Sequence, residues 1–384
     1  MTGSMTGPAP VPPPAGAIPG EPRRLVIIGT GLIGTSIALA MRERGAEVWL
    51  ADRDPATARF AAGLGAGREL PPDGPPGGPA DLAVLAMPPE AVGAVLAGAQ
   101  RRGLARAYTD VASVKEQPLL AARALGCDLS SYVPGHPIAG RERSGPAAAR
   151  AELFLDRPWA VCPDPSAAAG AVQAVTALAM ACGAQPARMA AADHDRWVAL
   201  ISHVPHLVSA AMAARLELAA GDALALAGQG LRDVTRIAGS DTALWTQILA
   251  ANAAHAAEVL PAIASDLMEA AAALASLAGG DEDAAKRVTG LLERGGAGVA
   301  RIPGKQGGPA PHYAVVQAVI GDQPGELARL FTAAGEAGIN IEDVRIEHSR
   351  GRPSGAVALS VRPDAAGPLA AALTAGGWPV RALS

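Results

Sequence analysis

A glycine-rich turn with an aspartate downstream has the spacing of a dinucleotide-binding site. The turn follows a run of β-type residues, opens a helical pattern and consists of Gly29, Thr30, Gly31, Leu32, Ile33 and Gly34. Its first glycine permits a tight turn, its second lets the backbone approach a pyrophosphate, and its third lets helix and strand pack closely. The pyrophosphate would lie at the helix N-terminus, where unpaired N–H groups and the helix dipole favour an anion. The alternative is a glycine turn with a purely structural role.

Asp52 lies eighteen residues beyond Gly34, at the end of the second predicted strand. A carboxylate there would accept hydrogen bonds from both ribose hydroxyls and would repel a 2′-phosphate. Arg53 follows directly, and its charge would offset part of that repulsion. The sequence therefore favours NAD over NADP as the cofactor.

Two polar residues follow further predicted strands of the same region. Ser113 comes just after a strand that ends at Val111, and His136 lies in a loop beyond Tyr132 and Val133. Because ligands bind at the carboxyl ends of the strands in such sheets, we expect both side chains at that edge. An imidazole takes up a proton near neutral pH, so His136 is a candidate general base. The alternatives are a solvated histidine and, for Ser113, an N-cap of the next helix.

Several candidate residues fall within a helical stretch. His203 and His206 are three residues apart, which places them on one helical face. A metal site needs three or more ligands, and no HExxH motif or acidic cluster accompanies the pair, so we predict no metal site.

The guanidinium of Arg236 suits a planar carboxylate, and Trp245 is interpreted as either a pocket wall or core. His194 and its two aspartate neighbours are interpreted as a polar cluster at a helix start.

The elements that position these residues are those of an α/β protein. In the first part of the chain β-type runs alternate with helical patterns, which predicts a parallel, doubly wound sheet. Strand signals then vanish, which predicts a helical domain, and a Gly- and Pro-rich linker leads to a segment with the order βαββαβ. We therefore predict a disordered tail (1–22), a Rossmann domain (23–165), an all-helical domain (166–300), a linker (301–311) and a ferredoxin-like βαββαβ domain (312–384).

The composition argues against several other classes of protein. The 384 residues carry 32 basic and 36 acidic side chains, a net charge of −4 that gives no basic field for nucleic acid or an anionic membrane. The three cysteines share no short spacing, which argues against a disulfide framework and fits a reducing cytosol. The longest uncharged stretch, 165–187, is a poor membrane span. We therefore expect a cytoplasmic protein with neither nucleic-acid nor membrane partners.

Polar groups recur in a characteristic order along the first 300 residues. Beyond the glycine turn, they lie in the segments 109–115, 135–145, 194–196, 202–206 and 232–238. This series resembles the prephenate dehydrogenase family of tyrosine biosynthesis, which includes arogenate dehydrogenases. The resemblance covers roughly residues 24–300. The later segments 322–327 and 338–341 resemble an ACT domain, an amino-acid-sensing module with the order βαββαβ.

The resemblance implies an NAD-dependent oxidative decarboxylation of prephenate to 4-hydroxyphenylpyruvate. A hydride leaves C4 of the ring for the nicotinamide, His136 takes the hydroxyl proton, and the ring carboxylate is lost as CO2. Ser113 would bond to the reacting hydroxyl, to His136 or to the nicotinamide, and Arg236 would bind a substrate carboxylate. The further substrate contacts that it implies are His203, His206, Glu142 and Trp245. The cofactor contacts that it implies are the glycine turn, Asp52, Arg53, Pro88 and Ser113.

Two other functions stay open at this point. Arogenate differs from prephenate by an ammonium in place of a keto group, and no residue of the sequence decides between them. A non-catalytic sensor of NAD and an amino acid would need neither His136 nor Arg236, so their presence in motifs argues against it. The family resemblance also implies a homodimer built by the helical domain.

The ACT resemblance implies feedback control by tyrosine through residues 312–384. A helix start marked by Pro324 offers free N–H groups for the carboxylate of an amino acid. Asp322 or Glu326 would accept the ammonium group, and Asn340 lies at the start of the next predicted strand. The implied regulatory residues are Asp322, Pro324, Gly325, Glu326, Leu327, Asn340 and Ile341. The alternative is a structural or dimerising appendage.

Overall fold

The computed structural model of the chain describes residues 18–139, 145–302, 313–348 and 354–383. The chain divides into two compact units, Met1–Ala264 and Ser265–Ser384. The predicted tail up to residue 17 and the predicted linker from residue 303 lie outside the described residues.

A parallel sheet of five strands forms the centre of the first unit. Its strands are β1 (Arg24–Ile28), β2 (Glu47–Ala51), β3 (Arg68–Glu69), β4 (Ala80–Leu85) and β5 (Ala105–Asp110). They pair in the order β3-β2-β1-β4-β5, with Ile27 opposite both Leu50 and Val84. The strand order reverses between β1 and β4, the point where ligands bind in doubly wound sheets. The predicted Rossmann-type sheet is therefore confirmed, although Tyr132 of the last predicted strand forms only a single parallel bridge to Tyr108.

Apolar side chains on the two sides of β1 belong to two separate cores. Leu25 and Ile27 pack in one cluster of buried residues, while Val26 packs in another. Such a continuous apolar run is typical of a parallel strand that is covered on both faces. The helices that follow these strands are α1 (Leu32–Glu43), α2 (Pro55–Gly63), α3 (Pro89–Arg101) and α4 (Glu116–Ala124).

A small second sheet follows, and it corrects part of the domain prediction. Its strands β6 (Gly135–Pro137), β7 (Pro158–Val161) and β8 (Gln185–Arg188) pair in that order, with β6 antiparallel and β8 parallel to β7. Helix α5 (Ala169–Ala181) shares the buried cluster of Leu25. The prediction of an all-helical segment from residue 166 is wrong at β8. This four-residue strand contains a proline and two exposed ends, so it lacks the apolar run that marks a strand.

The remainder of the first unit and the start of the second are helical. The helices are α6 (Ala191–Val198), α7 (Val204–Ala214), α8 (Gly221–Ala225), α9 (Gln229–Thr235), α10 (Thr242–Ala251), α11 (Ala253–Ala278) and α12 (Ala284–Ala300). A π-helical turn, Ala199–His203, joins α6 to α7. By length and composition alone, the helical stretch Ala191–Leu218 and helix α11 are long and apolar enough to cross a membrane. The cores of soluble proteins contain helices that meet the same two criteria.

The second unit ends in an antiparallel sheet with two helices. Its elements are β9 (Ala314–Gly321), α13 (Glu326–Glu336), β10 (Asp343–His348), β11 (Ser354–Val361), α14 (Ala366–Ala375) and β12 (Val380–Leu383). The strands pair in the order β10-β11-β9-β12, which confirms the predicted βαββαβ arrangement. Buried Val316, Leu330, Leu359 and Leu369 contribute to one core between sheet and helices.

One helix and one strand of this βαββαβ arrangement begin at other residues than predicted. Helix α13 begins at Glu326 rather than near Pro324, because Gly325 adopts a left-handed conformation with φ +91°. Strand β10 begins at Asp343, so Asn340 lies in the loop before the strand rather than at its start.

Candidate active site

The glycine turn has a geometry that separates packing glycines from a ligand glycine. Gly29 adopts φ +99°, and a Cβ there would lie 2.1 Å from the carbonyl oxygen of Ala86. A Cβ on Gly34 would lie 2.0 Å from the carbonyl oxygen of Gly29. A Cβ on Gly31 would meet none of the described atoms within 4 Å. The fold itself therefore requires the first and third glycines, whereas the second leaves open space for the close approach of a phosphate.

Helix α1 begins directly at this open space. Gly31 is its N-cap, and among the described residues no side chain caps the first turn from Leu32 and Ile33. The N–H groups of that first turn have no partner within the helix itself. The turn therefore fits the pyrophosphate of a dinucleotide, as the sequence predicts.

The carboxylate of Asp52 is held against the same turn. Its Oδ2 accepts hydrogen bonds from the backbone N–H of Thr30 at 2.6 Å and from the hydroxyl of Thr30 at 3.0 Å. Its Oδ1 accepts a hydrogen bond from the backbone N–H of Asp54 at 3.0 Å. Arg53, the next residue in the chain, is exposed. Pro88 is also exposed and lies two residues after Ala86, which follows β4. Asp52 is thus fixed next to the glycine turn, as a ribose-binding carboxylate requires.

We expect Asp52→Ser to narrow or reverse the preference for NAD over NADP. The substitution removes both the acceptor for the ribose hydroxyls and the charge that repels a 2′-phosphate. The measurement is kcat/KM for each cofactor, with Asp54→Ser as the control, because serine keeps the N-cap function of that residue on α2. Unaltered cofactor selectivity in Asp52→Ser would place the ribose elsewhere.

His136 begins a chain of three hydrogen-bonded side chains. It lies on β6, and its Nδ1 is 2.9 Å from Nε2 of His194, a residue 58 positions later in the chain. Nδ1 of His194 is in turn 2.7 Å from Oδ1 of Asp195. We call these three side chains the histidine relay. His194 and Asp195 are buried, while His136 is partly exposed.

The relay determines which nitrogen of His136 carries the proton. An ionised carboxylate only accepts hydrogen bonds, so Nδ1 of His194 carries the proton that is shared with Asp195. Nε2 of His194 is then an acceptor, and Nδ1 of His136 must be the donor to it. The lone pair of His136 is therefore on Nε2, the nitrogen that the relay leaves open. A base for a substrate hydroxyl needs this tautomer.

Asp195 is fixed by the start of another helix. Its Oδ1 accepts from the backbone N–H of Lys115, and its Oδ2 accepts from that of Glu116, each at 2.8 Å. Lys115 is the N-cap of α4 and Glu116 is its first residue, and a carboxylate at a helix N-terminus is favoured by the unpaired N–H groups there. The predicted polar cluster of His194 and Asp195 near the start of their own helix is therefore present, but its carboxylate also serves a second helix. Asp195 caps α4, 79 residues earlier than itself.

Burial lowers the pKa of both His136 and His203. Burial lowers the pKa of His136 well below its usual value, and electrostatic interactions with His194, Lys115 and His203 lower it further. Burial lowers the pKa of His203 to about 4, against an opposing effect of Asp195. At neutral pH His136 is therefore an unprotonated base.

Both histidines of the helical stretch meet the same tryptophan. The ring of His206 stacks on Trp245, with centroids 3.6 Å apart and planes at 10°. The ring of His203 meets Trp245 edge-on at a centroid distance of 6.2 Å. Asn252 lies 3.0 Å from Nδ1 of His203 and donates to the backbone carbonyl of Asp195 at 2.8 Å. The structure thus joins His203 to the relay through Asn252, a residue that the sequence analysis missed because nothing in its local pattern distinguishes it.

Three further residues that the sequence predicts for the site are Ser113, Arg236 and Glu142. Ser113 is partly buried in the loop between β5 and α4, and the N-cap of α4 is Lys115, so the N-cap interpretation of Ser113 is wrong. Arg236 is exposed at the start of a 3₁₀ turn that packs against α7, the helix of His206. Glu142 lies outside the described residues.

The sheet order, the glycine turn with its aspartate and the histidine relay at the carboxyl edge are those of a Rossmann-fold, dinucleotide-dependent oxidoreductase. Residues 37–187 match the family model "Prephenate dehydrogenase, nucleotide-binding domain", and residues 190–288 match "Prephenate dehydrogenase, dimerization domain". The probable prephenate dehydrogenase NovF of Streptomyces niveus is 41% identical over 363 residues, which cover 93% of this chain and 99% of that protein. The chain belongs to the prephenate dehydrogenase family.

Two solved structures share the fold. Prephenate dehydrogenase from Aquifex aeolicus, in complex with hydroxyphenyl propionate and NAD+, has a TM-score of 0.62 at 21% identity, over 71% of this chain and 96% of that one. Arogenate dehydrogenase from Synechocystis has a TM-score of 0.58 at 24% identity, over 71% of this chain and 98% of that one. At these identities the likeness extends to the fold alone.

Proposed function

We propose that the chain is an NAD-dependent prephenate dehydrogenase that forms 4-hydroxyphenylpyruvate. The observation that carries the mechanism is the histidine relay, which leaves a neutral, correctly protonated base beyond the end of β5. The cofactor is NAD, with its pyrophosphate at the turn from Gly29 to Gly34 and its ribose at Asp52. When bound, the nicotinamide supplies the hydride acceptor.

His136 serves both proton steps of this reaction. As the hydride leaves C4 of prephenate, Nε2 of His136 takes the proton of the C4 hydroxyl. Loss of the ring carboxylate as CO2 then sends its electron pair into the ring, and the resulting phenolate takes the proton back. Prephenate and NAD+ thus give 4-hydroxyphenylpyruvate, CO2 and NADH. A positioned base of this kind contributes ~10²–10⁴-fold to a rate.

The rest of the relay stabilises the protonated form of the base. Once Nε2 holds a proton, the imidazolium of His136 donates from Nδ1 to His194, and the charge of Asp195 compensates it at the far end. Asp195 itself keeps its two backbone donors throughout. Ser113, in the loop between β5 and α4, is proposed to bond to the reacting hydroxyl, to His136 or to the nicotinamide.

The anionic groups of the substrate require a separate set of contacts. We assign one carboxylate to Arg236, whose guanidinium can donate two parallel hydrogen bonds. Asn252 contacts His203 and links it to the relay. The rings of His203 and His206 both contact Trp245. These three residues are proposed to line the substrate pocket, and Glu142 is proposed to belong to it.

Initial rates on two substrates test the assignment. We expect the fastest NADH formation with prephenate and NAD, and slower rates with arogenate or with NADP. A higher kcat/KM for arogenate would make the chain an arogenate dehydrogenase. No rate on either substrate would favour the non-catalytic sensor.

We also propose a homodimer in the cytoplasm. Helix α11 exposes a series of large apolar side chains, which are Leu260, Leu267, Met268, Leu274 and Leu277. Exposed apolar side chains that recur along one helix favour a protein–protein contact, and the match of 190–288 to a dimerization domain supports that interpretation. Cys127, Cys162 and Cys182 are all free, as a reducing compartment requires. A monomer in light scattering at micromolar concentration would contradict the dimer.

Tyrosine is the proposed effector of the C-terminal βαββαβ domain, which we interpret as an ACT domain. The exposed loop before α13 contains Asp322, Pro324 and Gly325, and the first turn of that helix contains Glu326 and Leu327. Both carboxylate oxygens of Glu326 are engaged, one by Arg329 and one by the indole N–H of Trp378 at 3.2 Å. Asp322 is therefore the better acceptor for the ammonium group of a ligand. The amide of Asn340, next to Ile341, donates to Glu342 at 2.7 Å.

We expect tyrosine to inhibit the full chain more strongly than a chain that ends near Gly304. Coupling between two sites is typically worth ~1–3 kcal/mol, which corresponds to a several-fold or larger shift in the inhibition constant. The measurement is a titration of both proteins with tyrosine, with phenylalanine as the control ligand and the uninhibited rates as reference. Equal inhibition of both proteins would place tyrosine at the active site instead.

A further inference from the structure

Lys115 is a buried ammonium that no step of the proposed chemistry uses. Its side chain is 0% exposed, whereas the side chain of Lys286 is 83% exposed. Removing an ammonium from water costs several kcal/mol, and only good pairing offsets that cost. Lys115 forms an ion pair with Asp110 and donates to the backbone carbonyl of Gly135 at 2.6 Å. Its position between β5 and β6 is therefore held by specific bonds.

The partner carboxylate is fully engaged as well. Asp110 is the last residue of β5, and its side chain is 0% exposed. Its Oδ2 accepts from the hydroxyl of Tyr132 at 2.6 Å, and its Oδ1 accepts from the backbone N–H of Ala112 at 2.9 Å. The pair is thus a rigid point at the carboxyl edge of the sheet, since buried networks with every group satisfied are rigid.

Lys115 touches the histidine relay from two directions. Its side chain holds the carbonyl of Gly135, the residue directly before His136. Its backbone N–H donates to Oδ1 of Asp195, the same oxygen that meets Nδ1 of His194. One residue therefore fixes the backbone at the base and the carboxylate at the far end of the relay.

We propose that Lys115 is a positioning residue for the base, which fixes the distance between His136 and the His194–Asp195 pair. The proposal rests on the proposed function, because it requires His136 to be the base. Displacement of a reacting group by about 1 Å can cost ~10²-fold in rate, so a residue that holds both ends of the relay affects turnover without touching the substrate.

The positive charge of Lys115 also favours the unprotonated form of His136. His136 faces three groups that carry or can carry positive charge, namely His194, Lys115 and His203, while Asp195 lies behind His194 and Asp110 behind Lys115. Burial is the main reason why the pKa of His136 is low, and electrostatic interactions with these three groups lower it further. Without the ammonium the pKa of His136 rises, so protonation would remove the base at a higher pH.

Two variants and a matched control test the proposal. They are Lys115→Met, Lys115→Met combined with Asp110→Asn, and Lys286→Met on the surface. The double variant leaves no unpaired buried carboxylate, so it keeps the test valid if the single variant unfolds. We expect kcat for prephenate to fall at least tenfold in the variants of Lys115, with KM and the Kd of NAD changed less than threefold. We also expect the acid limb of the pH–kcat profile to move to higher pH, with no change in Lys286→Met.

Three outcomes separate the possible failures. A folded Lys115 variant with the kcat and pH profile of the wild type would overturn the proposal. A loss of kcat with an unmoved acid limb and a parallel rise in KM would also overturn it, because that pattern indicates general loosening of the fold. His136→Asn is assayed alongside: if it is fully active, the proposed function fails, whereas if it is impaired and the Lys115 variants are normal, only the positioning role fails.

Discussion

His136→Asn is expected to lower kcat for prephenate by ~10²-fold or more, with the Kd of NAD nearly unchanged. The amide of asparagine can still bond to His194, but it has no basic lone pair with which to take the hydroxyl proton. NAD binding depends on the glycine turn and Asp52, so it does not require the imidazole. Steady-state rates and a titration with NAD measure the two effects separately.

The control for this variant is His255→Asn. His255 lies on α11 and pairs with Glu116 at 2.9 Å, and we assign it no part in the chemistry. We expect its kcat to stay near that of the wild type. Near-normal turnover in His136→Asn would remove His136 from the role of base.

The pH dependence of the wild-type rate also follows from the role of His136 as base. The neutral form of His136 is active, and the pKa of His136 is held well below its ordinary value by burial first and by nearby charges second. The rate should therefore stay flat as the pH falls from 8 to about 6, the region where an unperturbed histidine would already titrate. An acid limb centred at or above the ordinary histidine value would contradict this environment for the base.

Arg236→Ala is expected to raise the KM for prephenate by roughly 10- to 100-fold. Hydrogen bonds to charged groups contribute about 1.5–3 kcal/mol, and each ~1.4 kcal/mol is tenfold in affinity. Because Arg236 is assigned to a substrate carboxylate rather than to the reacting centre, KM should change more than kcat. Arg236→Lys keeps the charge but loses the two-pronged geometry, so it should fall between the wild type and the alanine variant.

Arg232→Ala is the matched control. Arg232 is an exposed arginine one helical turn earlier, on α9. We expect its KM to remain within about twofold of the wild type, as is usual for exposed ion-pairing side chains. An unchanged KM in Arg236→Ala would move the anion site to another residue.

The sequence predicts the dinucleotide half of this site well because its signals are local. The turn from Gly29 to Gly34 joins one strand to the next helix, and Asp52 ends the neighbouring strand. The steric requirement at Gly34 arises within the turn itself, from the carbonyl oxygen of Gly29, whereas the requirement at Gly29 comes from Ala86 after β4. The βαββαβ domain is predicted for the same reason, from strands and helices that alternate within short segments.

The geometry of the proposed catalytic half could be predicted only in part, because tertiary contacts assemble it. His136 is recognisable from its place after a strand, but its partner His194 comes from a helix 58 residues later. Asp195 faces the N-terminus of α4, and Asn252 bridges to His203, and neither contact has a signature in sequence spacing. Strand β8 was missed because it is four residues long and not apolar.

The product balance of a single reaction tests the central claim most directly. Wild-type protein is incubated with prephenate and NAD, and NADH, CO2 and 4-hydroxyphenylpyruvate are quantified together. We predict equal amounts of all three, each equal to the prephenate consumed. NADH without matching CO2, or loss of prephenate without NADH, would contradict an NAD-dependent oxidative decarboxylation by this protein.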